Sequence, residues 1–272
     1  MTSAPASIGI FDSGVGGLSV LRAIRLQIPA QPLLYLGDQA HVPYGPRPAA
    51  EVRAFSEEIT RFLLAQGARL IVVACNAASA ASLYPLRAAF PQIPFVGMEP
   101  AVKPAAELTH SGVVGVLATP VTFQGALYAS VVERFAHGVK VLEDACPGLV
   151  TEIEAGRLEG PQTRAILENA LHPMLAQGAD TIVMGCTHYP FVIPLVQQIV
   201  GPAVKVIDPA PAIARQASRL LAQHGLLSEA VEAAPVTLYT SGPLAPLVAL
   251  LPALVAEDYP VRSARWENGK LI

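Results

Sequence analysis

Residues 64–76 read LAQGARLIVVACN, and residues 175–187 read LAQGADTIVMGCT. In both stretches Leu-Ala-Gln-Gly-Ala precedes an apolar run, and a cysteine followed by a small polar residue ends it. Three further echoes keep the same order. IGIFDS (8–13) matches VGVLAT (114–119), LYLGDQA (34–40) matches KVLEDA (140–145), and GMEPA (97–101) matches VIDPA (206–210). An ordered set of four, at near-constant separation, reads as two copies of one unit.

Working outward from these stretches, each copy alternates short apolar runs with helical periods. IGIF, PLLYLG, LIVVAC and FVGM are rich in β-branched residues and read as buried strands. Between them, Val52, Phe55, Ile59, Phe62 and Leu63 recur at spacings of mostly three and four within 48–66. In the second copy Pro161 opens a helix whose apolar stripe is Ile166, Leu167, Ala170, Leu171 and Met174. Continuous apolar strands alternating with helices imply a parallel sheet covered on both faces. The expected fold class is α/β: two similar doubly wound domains with mainly parallel sheets, related by pseudo-twofold symmetry, with the active site in the cleft between them. The tail adds a helix over 212–223, a strand in VTLYTSG (236–242) and a helix in PLAPLVALLPALV. Returning the tail to the first copy gives domains of 1–99 plus 212–272, and of 100–211.

Composition narrows the function classes. The 272 residues are 52% hydrophobic and 14% charged, so a large core is expected. A net charge of −3 offers no electrostatic case for nucleic acid or an anionic membrane. No apolar stretch approaches the roughly 20 residues of a bilayer span. The start, MTSAPASIGI, lacks the basic and apolar regions of a signal peptide, so a cytoplasmic location is expected. Three cysteines, at 75, 146 and 186, give neither a disulfide framework nor a Cys-x-x-Cys pair. No metal site is expected.

Cys75 and Cys186 each end an apolar strand, and Asn76 or Thr187 follows as a residue suited to capping a helix. Open α/β sheets bind ligands outside the carboxyl ends of their strands. Two thiols at matched positions would suit two-base chemistry: one removes a proton from a carbon and the other delivers a proton to the far face. A free thiol is only roughly 3% thiolate at neutral pH, so each needs tuning. Helix N-termini following both cysteines, Asp12 near Cys75, and His188 near Cys186 are the candidates, with His188 as a proton relay. A single strand-end cysteine is more often packing; two at repeat-matched positions favour chemistry.

IFDSGVGGLSVL joins a strand to a helix through glycines, and the helix start offers N–H groups to an anion such as a carboxylate. A tight turn without a ligand explains the glycines equally well, though not Asp12 and Ser13. Tyr44 and Gly45, in the proline-rich loop HVPYGPRP (41–48), are placed to wall a pocket or simply to stiffen the loop. Thr119 and Thr122 follow VGVL, as ligand contacts or helix caps. Cys146 has no repeat-matched partner and reads as structural. Glu154 reads either as a residue that reaches the cleft or, by default, as a solvated helix residue.

Together GIFDSGVGGLSVL, YLGD with VPYG, ACNAAS, ACPGLV and GCTHYPF resemble the aspartate/glutamate racemase family, and within it the enzymes that act on glutamate. The resemblance runs from about residue 8 to YTSG at 239–242. It implies cofactor-independent interconversion of L- and D-glutamate, supplying D-glutamate for peptidoglycan, with neither pyridoxal phosphate nor metal. It implies Cys75 and Cys186 as catalytic acid/bases assisted by Asp12 and His188. It also implies Asp12, Ser13, Tyr44, Gly45, Asn76, Ala77, Thr119, Thr187 and His188 as substrate contacts, and a possible homodimer. Ala77 stands where the family usually has threonine. Gln39, His41, Gly148 and Thr151 also depart from its usual spelling. An aspartate racemase, a thiol hydrolase using one cysteine with His188, and a two-lobed amino acid binding protein remain open on the residues alone.

Overall fold

The computed structural model describes residues 6–272, which fall into two units: one runs to Met98 and resumes over Ala210–Ile272, and the other is Glu99–Pro209. In chain order the first begins with β1 (Ser7–Asp12), α1 (Leu18–Gln27), β2 (Leu33–Gly37), α2 (Ala49–Ala65), β3 (Ala68–Val73), α3 (Asn76–Ala89) and β4 (Phe95–Gly97). The second unit comprises α4 (Val102–Leu108), β5 (Val113–Leu117), α5 (Pro120–Gln124), α6 (Ala126–Phe135), β6 (Lys140–Asp144), α7 (Leu149–Glu154), α8 (Pro161–Ala176), β7 (Thr181–Met184), a 3₁₀ turn (Tyr189–Val192), α9 (Ile193–Val200) and β8 (Lys205–Ile207). The chain then returns to the first unit with α10 (Ala210–Gln223), β9 (Val236–Thr240), α11 (Leu244–Leu254), β10 (Val261–Ser263), β11 (Trp266–Glu267) and β12 (Lys270–Leu271).

The strand orders carry the duplication. The second unit's sheet runs β6-β5-β7-β8, and the inner part of the first unit's sheet runs β2-β1-β3-β4. These are the same order, strand for strand, and every pairing in both sheets is parallel. The register agrees as well: Gly9 lies beside Ile71, and Gly115 beside Ile182. A side chain at Gly9 would meet Ile71, Ala68 and Leu63; one at Gly115 would meet Met174 and Ile182. Leu63 and Met174 are themselves matched positions just before the two LAQGA stretches. Each unit thus lays one helix close over its first strand, at a point where only a missing Cβ leaves room. The matched turn glycines, Gly67 and Gly178, both have positive φ, 100° and 88°, which a side chain would strain.

Burial follows the apolar runs. β3 is buried along its last four residues, Leu70–Val73, and β7 over all four of its residues. In α2 the buried stripe is Val52, Ser56, Ile59, Thr60 and Leu63, and in α8 it is Thr163, Leu167, Ala170, Leu171 and Met174. The first unit's sheet reaches six strands because the tail adds β9 beside β2 and β10 beside β9. Among the described residues only β11 and β12 pair antiparallel, as a short hairpin. Among the described residues, no helix is long and apolar enough to cross a membrane.

At Gly9 a new Cβ would lie 2.9 Å from Ala68 Cβ and 3.1 Å from Leu63 Cβ, atoms tied to the backbone. At Gly115 it would meet Met174 Sδ at 2.5 Å and Ile182 Cδ1 at 2.7 Å, the mobile parts of longer side chains. Gly9→Ala is therefore expected to cost about 1–3 kcal/mol of stability and Gly115→Ala less. Urea midpoints of the two variants check the ranking, and equal losses would refute it.

Candidate active site

In the first unit the polar residues gather where the strands end. Asp12 closes β1 and is fully buried, with Oδ1 accepting the Gly14 N–H at 2.8 Å. This bends the chain into the glycine turn DSGVGG. The turn is packed from below: Tyr35 donates its hydroxyl to the Gly14 carbonyl at 2.6 Å, and a side chain at Gly17 would strike Asp12 Cβ. The expected supply of N–H groups at the start of α1 is largely spent. Leu18, Ser19 and Val20 donate to the carbonyls of Val15, Gly16 and Gly17. The glycines therefore serve close packing first. Ser13, beside Asp12, is buried as well.

Cys75 follows β3 and is the N-cap of α3. Its backbone is extended, and Sγ accepts the Ala78 N–H at 3.5 Å. The positive end of α3 is thus aimed at the sulfur. Ala77 is buried beside it. Asn76 is 4% exposed, and neither Oδ1 nor Nδ2 has a hydrogen-bond partner. A buried amide left unmatched on both atoms is rare and calls for a partner from outside the chain, a water, an ion or a ligand. Tyr44 is buried, with its hydroxyl donated to Asp38 Oδ2 at 2.6 Å. Burial first, and then the Asp38 carboxylate, hold its phenol well above the usual range; charge at Cys75 and Asp12 acts in the same direction. Tyr44, Cys75 and Asp12 therefore share one electrostatic neighbourhood. Gly45 is in the turn after Tyr44 and partly exposed.

The second unit builds its cysteine site differently. Cys186 lies just beyond β7, with Thr187 and His188 buried beside it. The chain then enters a 3₁₀ turn, Tyr189–Val192, before α9, where Pro190 and Pro194 interrupt regular helical bonding. The sequence expectation of a helix N-terminus directly after both cysteines thus holds for Cys75 and is corrected for Cys186. His188 Nδ1 lies 3.8 Å from Cys186 Sγ, and His188 Nε2 lies 2.7 Å from Glu154 Oε1. Glu154 is therefore no solvated helix residue: the end of α7 delivers it to the imidazole. Nδ1 is the ring nitrogen that faces Cys186 Sγ, and Nε2 the one that faces Glu154.

Thr119 is the N-cap of α5, but its hydroxyl pairs with Thr122 Oγ1 at 3.1 Å and does not bond the helix. Cys146 is buried in a left-handed conformation, φ 44°, with its N–H donated to Asp144 Oδ1 at 2.7 Å. Burial and the Asp144 carboxylate push its thiol far up. Tyr189, which sequence reasoning passed over, is fully buried and donates to the Ala145 carbonyl at 3.4 Å, tying the Cys186 turn to the Cys146 loop. Among the described residues no three His, Cys, Asp or Glu side chains are grouped so as to hold a metal ion.

With this geometry in hand, the model of the Asp/Glu/Hydantoin racemase family matches residues 8–217. The chain belongs to that family. It is 51% identical over 259 residues to a glutamate racemase of Ectopseudomonas mendocina (strain ymp), covering 95% of this chain and 98% of the other. Among solved structures, glutamate racemase isoform RacE1 from Bacillus anthracis superposes with a TM-score of 0.85 at 30% identity, covering 97% of this chain and 98% of that one. Escherichia coli glutamate racemase, solved with L-glutamate and the activator UDP-MurNAc-ala, gives a TM-score of 0.85 at 31% identity, covering 98% and 100%. As a member of the racemase family the chain is an isomerase.

Two departures from the family's usual spelling acquire a local reason. Gly148 has φ 90° and caps α7, a conformation that side chains resist. Gln39 accepts the Thr240 hydroxyl at 2.7 Å, joining its loop to β9. Because the Asn76 amide has no intramolecular partner, Asn76→Ala is expected to change unfolding free energy by less than about 1 kcal/mol. A shift of the urea midpoint well beyond that would mean the amide supports the fold.

Proposed function

We propose that the chain interconverts L- and D-glutamate without a cofactor, by two-base proton transfer at the α-carbon. One observation carries this reading. Two sheets that share a four-strand order hold Cys75 and Cys186 at the same place, just past the carboxyl end of the matched strands. Inverting a stereocentre needs acid/base groups of comparable strength on both faces, because the reverse reaction exchanges their roles. A duplicated unit supplies that pair. The names of the relatives, glutamate racemases at about half identity, support glutamate as the substrate.

In the proposed cycle the thiolate of one cysteine takes the α-proton, and the bonding pair stays on the carbon. The thiol of the other cysteine then gives its proton to the opposite face. The sulfurs leave with exchanged protonation states, and the next turnover can run in reverse. On the Cys186 side, His188 accepts or returns the thiol proton while Glu154 holds the imidazole. On the Cys75 side, the N-terminus of α3 favours the thiolate, and Asp12 is assigned as the carboxylate that assists proton exchange. The unmatched Asn76 amide is assigned to the substrate's polar groups, together with Ser13, Tyr44, Gly45, Ala77, Thr119 and Thr187. D-glutamate so formed would serve peptidoglycan synthesis in the cytoplasm.

Circular dichroism of L-glutamate in heavy water tests the reaction directly. The optical signal is expected to decay to zero with deuterium entering the α-position, while L-aspartate keeps its signal. Decay of aspartate alone would change the substrate, and retention of both signals would end the proposal. Cys75→Ala and Cys186→Ala are each expected to lower racemisation by at least about 10²–10⁴. Either variant turning over glutamate at the normal rate would exclude the two-base scheme and favour a single-thiol enzyme. At equilibrium a racemate is equimolar, so Glu154→Gln must lower kcat/KM equally for both enantiomers. Its expected signature is unequal change in the two kcat values, read by following each direction separately.

A further inference from the structure

Asp38 is fully buried, and its carboxylate gathers four donors. Oδ2 accepts from Tyr44 Oη at 2.6 Å and His41 Nδ1 at 2.9 Å. Oδ1 accepts from Ser241 Oγ at 2.6 Å and Trp266 Nε1 at 2.8 Å. The first pair belongs to the loop after β2. The second pair comes from the tail, more than 200 residues away: Ser241 from the turn after β9, and Trp266 from the first position of the terminal hairpin. An aromatic layer lies over the junction. The His41 ring stacks on Phe55 at 3.9 Å between centroids, and Trp266 approaches His41 at 5.1 Å and Phe55 at 5.5 Å. Arg47 Nε donates to the His41 carbonyl at 2.7 Å, which closes the loop on itself.

We propose that Trp266 and Ser241 are positioning residues: acting through Asp38, they hold the loop carrying Tyr44 and Gly45, so that the C-terminal tail governs substrate affinity without touching substrate. The inference rests on the assignment of Tyr44 and Gly45 to the substrate site. Each carboxylate oxygen serves one side of the junction. Removing a donor from Oδ1 leaves a buried charged acceptor short of a partner and frees the carboxylate to turn. Turning moves Oδ2, and with it the anchor of the Tyr44 hydroxyl. Neither cysteine is among the donors to Asp38, so the chemistry should largely persist once substrate is bound.

Trp266→Phe keeps an aromatic ring against His41 and Phe55 but deletes the N–H together with part of the indole's packing area. The expected result is a rise in KM for glutamate of about tenfold, the scale of one lost hydrogen bond to a charged acceptor, with kcat within about twofold of the parent. Amide hydrogen exchange should quicken across residues 38–48. Ser241→Ala removes the other Oδ1 donor and also the acceptor of the Ala40 N–H at 3.0 Å, so it should move both readouts in the same direction at least as far, and it carries the test of the tail's hold on the loop if Trp266→Phe does not fold. Unchanged KM with unchanged exchange in 38–48 overturns the proposal, as does a fall in kcat at constant KM. Exchange is measured without substrate. Failure of the parent protein to racemise glutamate would therefore sink the functional reading, while the exchange result would still decide the coupling.

Discussion

A parallel strand buried on both faces leaves little room along its buried length for a polar side chain, so its chemistry begins where the strand stops. β3 and β7 are such strands, and Cys75 and Cys186 stand just past their carboxyl ends. The rest of each unit serves that placement. Helices cover the sheet faces, and the glycine at the matched position of β1 and β5 lets one helix sit close. The loops past the strand ends then bring in the side chains that act on the sulfur. A shift of one residue in the register of β3 or β7 would turn the polar groups toward the wrong face.

The two copies share an architecture but solve the sulfur's environment by different means. In the first, the sulfur itself caps a regular helix, and an Asx turn at Asp12 shapes the neighbouring loop. In the second, prolines suppress the helix start, and a histidine–carboxylate pair stands beside the sulfur. The first copy also carries the whole C-terminal extension, two additional parallel strands and the hairpin. Duplication thus preserved strand order and register while the loops diverged, because the sheet core tolerates little change in volume and the strand-end loops tolerate a great deal.

How far the sequence was legible follows from the range of the interactions. The repeat was legible because glycines such as Gly67 and Gly178 answer local conformational demands, and because apolar runs end visibly at a cysteine. The parallel strand class followed from those runs. The Glu154–His188 pair was not legible: the partners are 34 residues apart and lie on separate elements, so no periodicity links them. Glycine spelling does not distinguish a ligand cradle from a packed turn, and three N–H groups at the start of α1 bond within the turn. The terminal hairpin escaped notice because its strands are two residues each, shorter than any alternation can register. Asp38 stood in plain view in YLGD. Its importance lies in donors more than 200 residues away, a distance at which sequence pattern is silent.

The chain contains a single tryptophan, and it is the indole at the Asp38 junction. The protein's longest-wavelength ultraviolet emission therefore originates at one address, within a few ångströms of an imidazole and a carboxylate. Any event that loosens that corner is written into the spectrum without a label.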